Sequence, residues 1–231
     1  MSGPALELID VGFCWSGPQG FSLTVPTLSI PSGQSVLLLG ESGSGKSTLL
    51  SLICGTILPS TGLVRVNGQD VGSMKAGARD RFRAETIGII FQQFNLLPFG
   101  TVEDNIRLPL RFAPERRKRT GDTNKEIHRL CKGLGLSKDI IRQKANALSV
   151  GQQQRVAVAR ALIGQPPLII ADEPASALDE TSQKAFLDTL FRQLEQREAT
   201  LLMVSHDPRL ADRFDRVIHM EDIVQRGKTA A

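Results

Sequence analysis

The chain has 231 residues, 41% hydrophobic and 23% charged, values of a folded globular protein that exclude a disordered chain. Its 28 basic against 24 acidic residues leave a formal charge of +4, which admits an anionic partner without requiring one. The longest mostly apolar stretch, Leu49 to Leu58, is broken by Ser51, Gly55 and Thr56 and falls short of the roughly 18–20 residues that span a bilayer; Met1 to Asp10 carries no secretory leader; and Cys14, Cys54 and Cys131 are too few and too widely spaced for a disulfide framework or a zinc site, so reduced thiols in the cytosol are expected.

In chain order, Leu6–Val11, Phe21–Val25, Leu28–Ile30 and Leu63–Val66 read as short strands punctuated by Pro4, Pro18, Pro26, Pro31, Gly62 and Gly68, an antiparallel layer at one edge of the fold. Ser35–Leu39 is an apolar strand, followed by glycine-rich chain and the helix-like LLSLIC. From about Asn95 to Val150 the sequence turns helical and polar, with runs at Lys125–Lys132 and Lys138–Lys144, an inserted helical subdomain. Within it the dense basic run Arg116 to Arg119 lies between Pro114 and Gly121 with Phe112 the only nearby aromatic. It reads as a solvated loop or helix end, and no nucleic-acid partner is expected. A helix over Gln152–Ile163 must stop before Pro166-Pro167, and the buried strand Leu168–Ala171 follows. Phe186, Leu187, Leu190, Phe191 and Leu194 at helical spacing place an amphipathic helix from about Glu180 to Arg197, before strands at Thr200–Val204 and Val217–Met220. Strands alternating with helices predict an α/β fold with a mostly parallel core sheet.

Gly40-Glu41-Ser42-Gly43-Ser44-Gly45-Lys46-Ser47-Thr48 is GxxxxGK[ST] between a strand and a helix. Glycines let the backbone fold around phosphates and aim its N–H groups at them, with a helix N-terminus behind. Lys46 then neutralises the β and γ phosphates, and the Ser47 hydroxyl ligates Mg²⁺. A second pair of groups, Asp172-Glu173 before Pro174, stands at the carboxyl end of a buried strand, where α/β sheets bind ligands. Asp172 suits the metal's water shell and Glu173 a water-polarising base.

Between these motifs, Leu148-Ser149-Val150-Gly151-Gln152-Gln153-Gln154-Arg155-Val156-Ala157-Val158-Ala159-Arg160-Ala161-Leu162 resembles the signature sequence of ATP-binding cassette (ABC) transporter ATPases. Ser176-Ala177-Leu178-Asp179 and Ser205-His206-Asp207 complete that family's motif order along nearly the whole chain. The resemblance implies a P-loop ATPase: a nucleotide-binding core at 1–94 and 152–231, and a helical subdomain at about 95–151 carrying the signature. It implies ATP as substrate with Mg²⁺, and hydrolysis by Glu173 with Lys46, Gln92 and His206. Gln92 senses metal and water, with Gln93 its rival; His206 bonds the γ-phosphate. Trp15, just before the Ser16-Gly17-Pro18 turn, stacks on adenine, with Phe13 as its rival. Ser149, Val150, Gly151 and Gln152, with Asp179, belong to nucleotide contacts that a second copy completes, so a homodimer is implied. Glycine is usual in the family where this chain has Val150.

Phe91-Gln92-Gln93-Phe94-Asn95-Leu96-Leu97-Pro98 and Thr101-Val102-Glu103-Asp104-Asn105-Ile106 resemble the lipoprotein-releasing and macrolide-exporting bacterial group. That implies a separate integral-membrane permease, a peripheral position on the inner face of the cell membrane, and transport by export or extraction. Phe94, Leu96, Leu97 and Phe99 are either permease contacts or subdomain core. The alternative function is an ABC ATPase that gates a membrane partner, as a cell-division regulator does, without moving a substrate. A small-molecule kinase leaves LSVGQ unexplained.

Overall fold

The computed structural model describes residues 3–15, 21–176, 178–195 and 199–228, the last three by backbone alone. In chain order its elements are β1 (Leu6–Cys14), β2 (Phe21–Ile30), β3 (Ser35–Leu39), α1 (Lys46–Ile53), β4 (Thr61–Val66), β5 (Gln69–Asp70), α2 (Ala76–Thr86) and β6 (Ile87–Ile90). There follow α3 (Val102–Arg107), α4 (Pro114–Thr120), α5 (Thr123–Gly133), α6 (Val150–Leu162), β7 (Leu168–Asp172), α7 (Glu180–Glu195), β8 (Thr200–Ser205), β9 (Arg216–His219), α8 (Met220–Ile223) and β10 (Gln225–Lys228). Two compact units divide the chain, one of residues 1–83 with 200–231 and one of residues 84–199.

The first unit holds an antiparallel sheet ordered β10-β2-β1-β4-β5 and the parallel strands β8 and β9 on either side of β3. The two short strands expected around Pro26 are one continuous strand, β2. Proline has no N–H to give a ladder, and here none is asked of it: the pairing runs Ile9 to Thr27 and then Val11 to Val25, skipping Asp10 and Pro26. Asp10 takes φ 49° at that point, and β10 pairs with β2 only as far as Thr24. Every residue of β8 and four of the five in β3 are buried, the continuous apolar pattern of covered parallel strands. The strand expected over Val217–Met220 is β9, which ends at His219, and Met220 opens α8.

In the second unit β6 and β7 pair in parallel, Ile87 to Leu168 through Ile90 to Ala171. Gly88 lets β6 run against α6: a Cβ there would lie 2.2 Å from the Ala161 carbonyl oxygen. The polar middle is helical as expected, with α3 to α5 and a 3-10 turn at Lys138–Arg142. Thr101 and Asp104 form a capping box that starts α3, satisfying two first-turn donors. Buried Asn105 bonds the backbone of Leu97 and Thr101, fastening the tail of the loop that follows β6.

The basic run is not a solvated segment throughout. It lies inside α4, whose last turn holds Arg117, Lys118 and Arg119, and Arg116 is only 1% exposed. Its guanidinium donates to the carbonyls of Ala84, Ile87, Arg160, Ala161 and Ile163, closing the C-terminal end of α6, where carbonyls lack intrahelical partners. Burial pulls its pKa down to about 9, still protonated at neutral pH. Glu85 accepts the backbone N–H groups of Glu115 and Arg116. Composition identifies a basic run but not which of its members a helix end will take inside.

Candidate functional site

The phosphate loop belongs to the first unit. β3 delivers the chain at Leu39, and the turn is tightened by a bond from the Ser44 N–H to the Glu41 carbonyl at 3.1 Å. Gly43 and Gly45 take φ of 76° and 96°, open to glycine at little cost, and a Cβ on Gly45 would stand 2.8 Å from the Phe21 ring. Lys46 is the first residue of α1, 7% exposed. Its ammonium donates to the carbonyls of Gly40 at 2.6 Å and Glu41 at 3.0 Å, so the cation sits on the loop itself, while Ser47 is exposed beside it.

Ser44 supplies a test of whether this loop fits a nucleotide. Its hydroxyl is buried with no hydrogen-bond partner among the described residues, a cost of about 1–3 kcal/mol that a phosphate oxygen would remove. The loop fits.

His206 and Trp15 stand in the same unit. Leu39 is opposite Ser205 in the parallel pair, and the Gly40 N–H reaches the Ser205 carbonyl at 3.3 Å, so the exposed His206 follows a residue bonded to the loop's first glycine. The Trp15 indole N–H donates to Thr48 at 3.2 Å, setting the ring beside the first turn of α1. Trp15 is 47% exposed, and Phe13 packs edge-on against it at 5.1 Å but is itself half-buried. The Ser16-Gly17-Pro18 turn and Ala177 lie outside the described residues.

The second unit carries the acidic pair, Gln92 and the signature. Asp172 ends β7 and Glu173 follows at φ 43°, a sparsely populated conformation for a residue with a Cβ. Ser176 closes that turn, its N–H and hydroxyl both donating to the Glu173 carbonyl. The Gln92 amide reaches the same Ser176 hydroxyl at 3.4 Å, so the glutamine and the acidic turn share one contact.

Ser149 caps α6. Its hydroxyl accepts the Gln152 N–H at 3.3 Å, and the Gln152 side chain returns a bond to the Ser149 N–H at 2.9 Å. Val150 and Gly151 are the first two helical residues, with negative φ and N–H groups of the kind a helix start leaves to an outside acceptor. Asp179 caps α7 by accepting the Ser182 N–H and hydroxyl, and those two bonds hold its carboxyl below the usual range.

Residues 23–176 match the family model described as ABC transporter. The chain belongs to the ABC transporter ATPases. It is 39% identical over 195 residues to the lipoprotein-releasing system ATP-binding protein LolD of Syntrophotalea carbinolica, covering 84% of each chain. To the macrolide export ATP-binding/permease protein MacB of Rhodopirellula baltica it is 40% identical over 210 residues, covering 88% of this chain but 30% of that one. The dimeric structure of MJ0796, a bacterial ABC transporter cassette, superposes with a TM-score of 0.82 at 32% identity over 98% of this chain and 99% of that one. A post-hydrolysis dimer of the same cassette bound to ADP and Pi superposes at 0.80 with 33% identity. The fold is the cassette fold expected from the sequence, and the activity is ATP hydrolysis.

Sequence reasoning passed over Gln154 and Arg160. Gln154, 3% exposed, donates to the Pro174 carbonyl at 2.7 Å, one residue past Glu173. Arg160, 6% exposed, donates to the carbonyls of Phe94 and Asn95. A signal was present: Arg160 is the one charge in Val156-Ala157-Val158-Ala159-Arg160-Ala161-Leu162-Ile163, and a lone charge on an apolar helix needs partners inside.

Proposed function

We propose that this ATPase drives an integral-membrane permease, moving a substrate by export or extraction across the cell envelope, and works as a homodimer. The observation that carries the permease reading is the surface behind Gln92. Phe99 is 79% exposed and Leu97 45%, so these two are not subdomain core, while Phe94 and Leu96 are half-buried. An exposed phenylalanine and leucine on the loop that follows a nucleotide-sensing glutamine suit a partner helix. The relatives support the same reading: LolD is named as an ATP-binding protein of a releasing system and MacB joins ATP-binding and permease parts in one chain. Among the described residues no helix is long and apolar enough to cross a membrane, consistent with attachment to the inner face through the permease.

The roles follow from the chemistry of each group. Lys46 and the loop amides bind the phosphates of ATP, and Trp15 stacks on adenine. Ser47 and Asp172, one hydroxyl and one carboxylate, are the oxygen donors that would hold a Mg²⁺ ion, which takes few ligands from protein. That ion, once bound, neutralises charge on the transferred phosphoryl group. Glu173 polarises the attacking water, Gln92 senses metal and water, and His206 bonds the γ-phosphate. Ser149, Val150, Gly151 and Gln152, at the start of α6, and Asp179 serve the nucleotide held by a second copy. ATP then joins two copies, and hydrolysis removes the charge that held them.

Phe99→Ser tests the surface. Co-purification with its cognate permease should fall at least tenfold, with basal ATPase unchanged; undiminished co-purification would reject the docking surface. Trp15→Ala should cost about 1 kcal/mol of nucleotide affinity, the scale of one stacking contact, and Trp15→Phe should retain most of it. As the chain has one tryptophan, fluorescence titration reads ATP binding directly in the wild type. Unchanged affinity in the alanine variant would move the role to Phe13 or to no ring.

A further inference from the structure

Four non-glycine residues of the second unit have positive φ: Phe94 at 55°, Asn95 at 48°, Gln165 at 51° and Glu173 at 43°. Such backbone persists where its surroundings over-determine it. For three of the four, the surroundings are side chains of one helix. Two successive left-handed residues turn their carbonyls the same way, and the planar fork of Arg160 takes both, that of Asn95 at 2.6 Å. Arg160 makes no ion pair among the described residues, and burial alone lowers its pKa, so its donors are committed to backbone. Gln154 spends its amide on the Pro174 carbonyl. At 1.5 Å per residue the two positions are about 9 Å apart along α6, far enough for one rod to hold two separate loops.

We propose that Gln154 and Arg160 are positioning residues, through which the helix capped by Ser149 fixes both the Glu173 turn and the loop after Gln92. The inference rests on the roles given above to Ser149, Glu173 and Gln92. Its consequence is that a displacement at Ser149, where a second copy's nucleotide is met, reaches this copy's hydrolytic residues without passing through the loops between. The signature helix is then a lever with two attachments, and the strained turns are set by its register.

Arg116 provides the control. It is as deeply buried and holds the same helix, at its C-terminal end, but it bonds neither the Glu173 turn nor the loop at Phe94 and Asn95. The full-length chain is assayed for ATPase kcat and KM, for ATP affinity by equilibrium dialysis and for melting temperature. Arg160→Met is expected to lose tenfold or more in kcat with KM and affinity within twofold. Arg160→Lys, which keeps a cation able to reach one carbonyl, is expected to recover part of the loss. Arg116→Met is expected to melt at least as early, with kcat of the folded fraction within threefold. Gln154→Met should repeat the Arg160→Met pattern and decides the matter where Arg160→Met does not fold. A kcat loss below tenfold overturns the proposal, as does an equal loss in Arg116→Met, which would make the effect one of general destabilisation. Wild-type turnover in Glu173→Gln alongside a loss in Arg160→Met would remove the base assignment and leave the lever standing.

Discussion

Glu173→Gln should lower ATP turnover by about 10²–10⁴-fold, the range of a positioned general base, while leaving ATP binding intact. The substitution keeps size and shape and removes only the proton acceptor. The turn at φ 43° is held through the Glu173 carbonyl by Ser176 and through the Pro174 carbonyl by Gln154. Both bonds are made by backbone at residues 173 and 174, so glutamine inherits the same geometry. Affinity should persist because Lys46 and the phosphate loop belong to the other unit. With binding intact and hydrolysis stopped, the ATP-joined dimer should accumulate, visible as a doubling of mass in size-exclusion chromatography with light scattering. Lys46→Ala makes the contrast: it removes the cation that pairs with phosphate, so affinity itself should fall and no dimer should form. Wild-type turnover in Glu173→Gln would refute the base assignment.

Much of this site was legible because its requirements are local. A loop that wraps phosphate needs glycines, a lysine and a hydroxyl at fixed spacing ahead of a helix, and Gly40 to Ser47 show all of them in eight residues of sequence with the strand before and the helix after. Asp172 and Glu173 could be read because a buried strand announces its own end. Trp15 was legible in part: its place before a turn favoured it but left Phe13 as a rival, and only the fold shows Trp15 reaching Thr48 with its indole N–H while Phe13 packs half-buried against it. The arginines were not legible, because their partners are carbonyls. Arg116 bonds residues 29 to 47 positions away and Arg160 bonds residues about 65 positions away, and a carbonyl has no letter in the sequence. Pro26 misled for the opposite reason: its local veto on pairing is real, but the facing Asp10, at φ 49°, is skipped in the β1–β2 ladder, so the veto costs nothing.

The signature departs from the family at one residue, and the structure turns that departure into a measurement. Val150 is the first residue of α6, with ordinary helical backbone and 57% exposed, so the β-branched side chain meets neither left-handed strain nor a packed neighbour. Its N–H is presented as a glycine's would be. Val150→Gly should therefore change the ATPase rate by less than about tenfold, or roughly 1.4 kcal/mol. Gly151→Asp should behave oppositely. A Cβ at 151 comes no nearer than 4.0 Å to a neighbouring side chain, that of Arg155, and an acid in the first turn of a helix is stabilising by about 0.3–1 kcal/mol. Gly151→Asp should thus fold as well as wild type or better, with its melting temperature unchanged or raised. Hydrolysis that depends on the dimer should nevertheless be eliminated, because a carboxylate would face the γ-phosphate of the second copy's ATP, where the helix offers N–H groups. Stability gained together with activity lost separates charge repulsion from misfolding, and retention of activity would remove the signature from the shared site. Both variants are best assayed with the permease present. A hundredfold gain in Val150→Gly would mean that Val150 marks a degenerate signature whose natural partner is a second, different ATPase subunit, and the homodimer would then give way to a heterodimer.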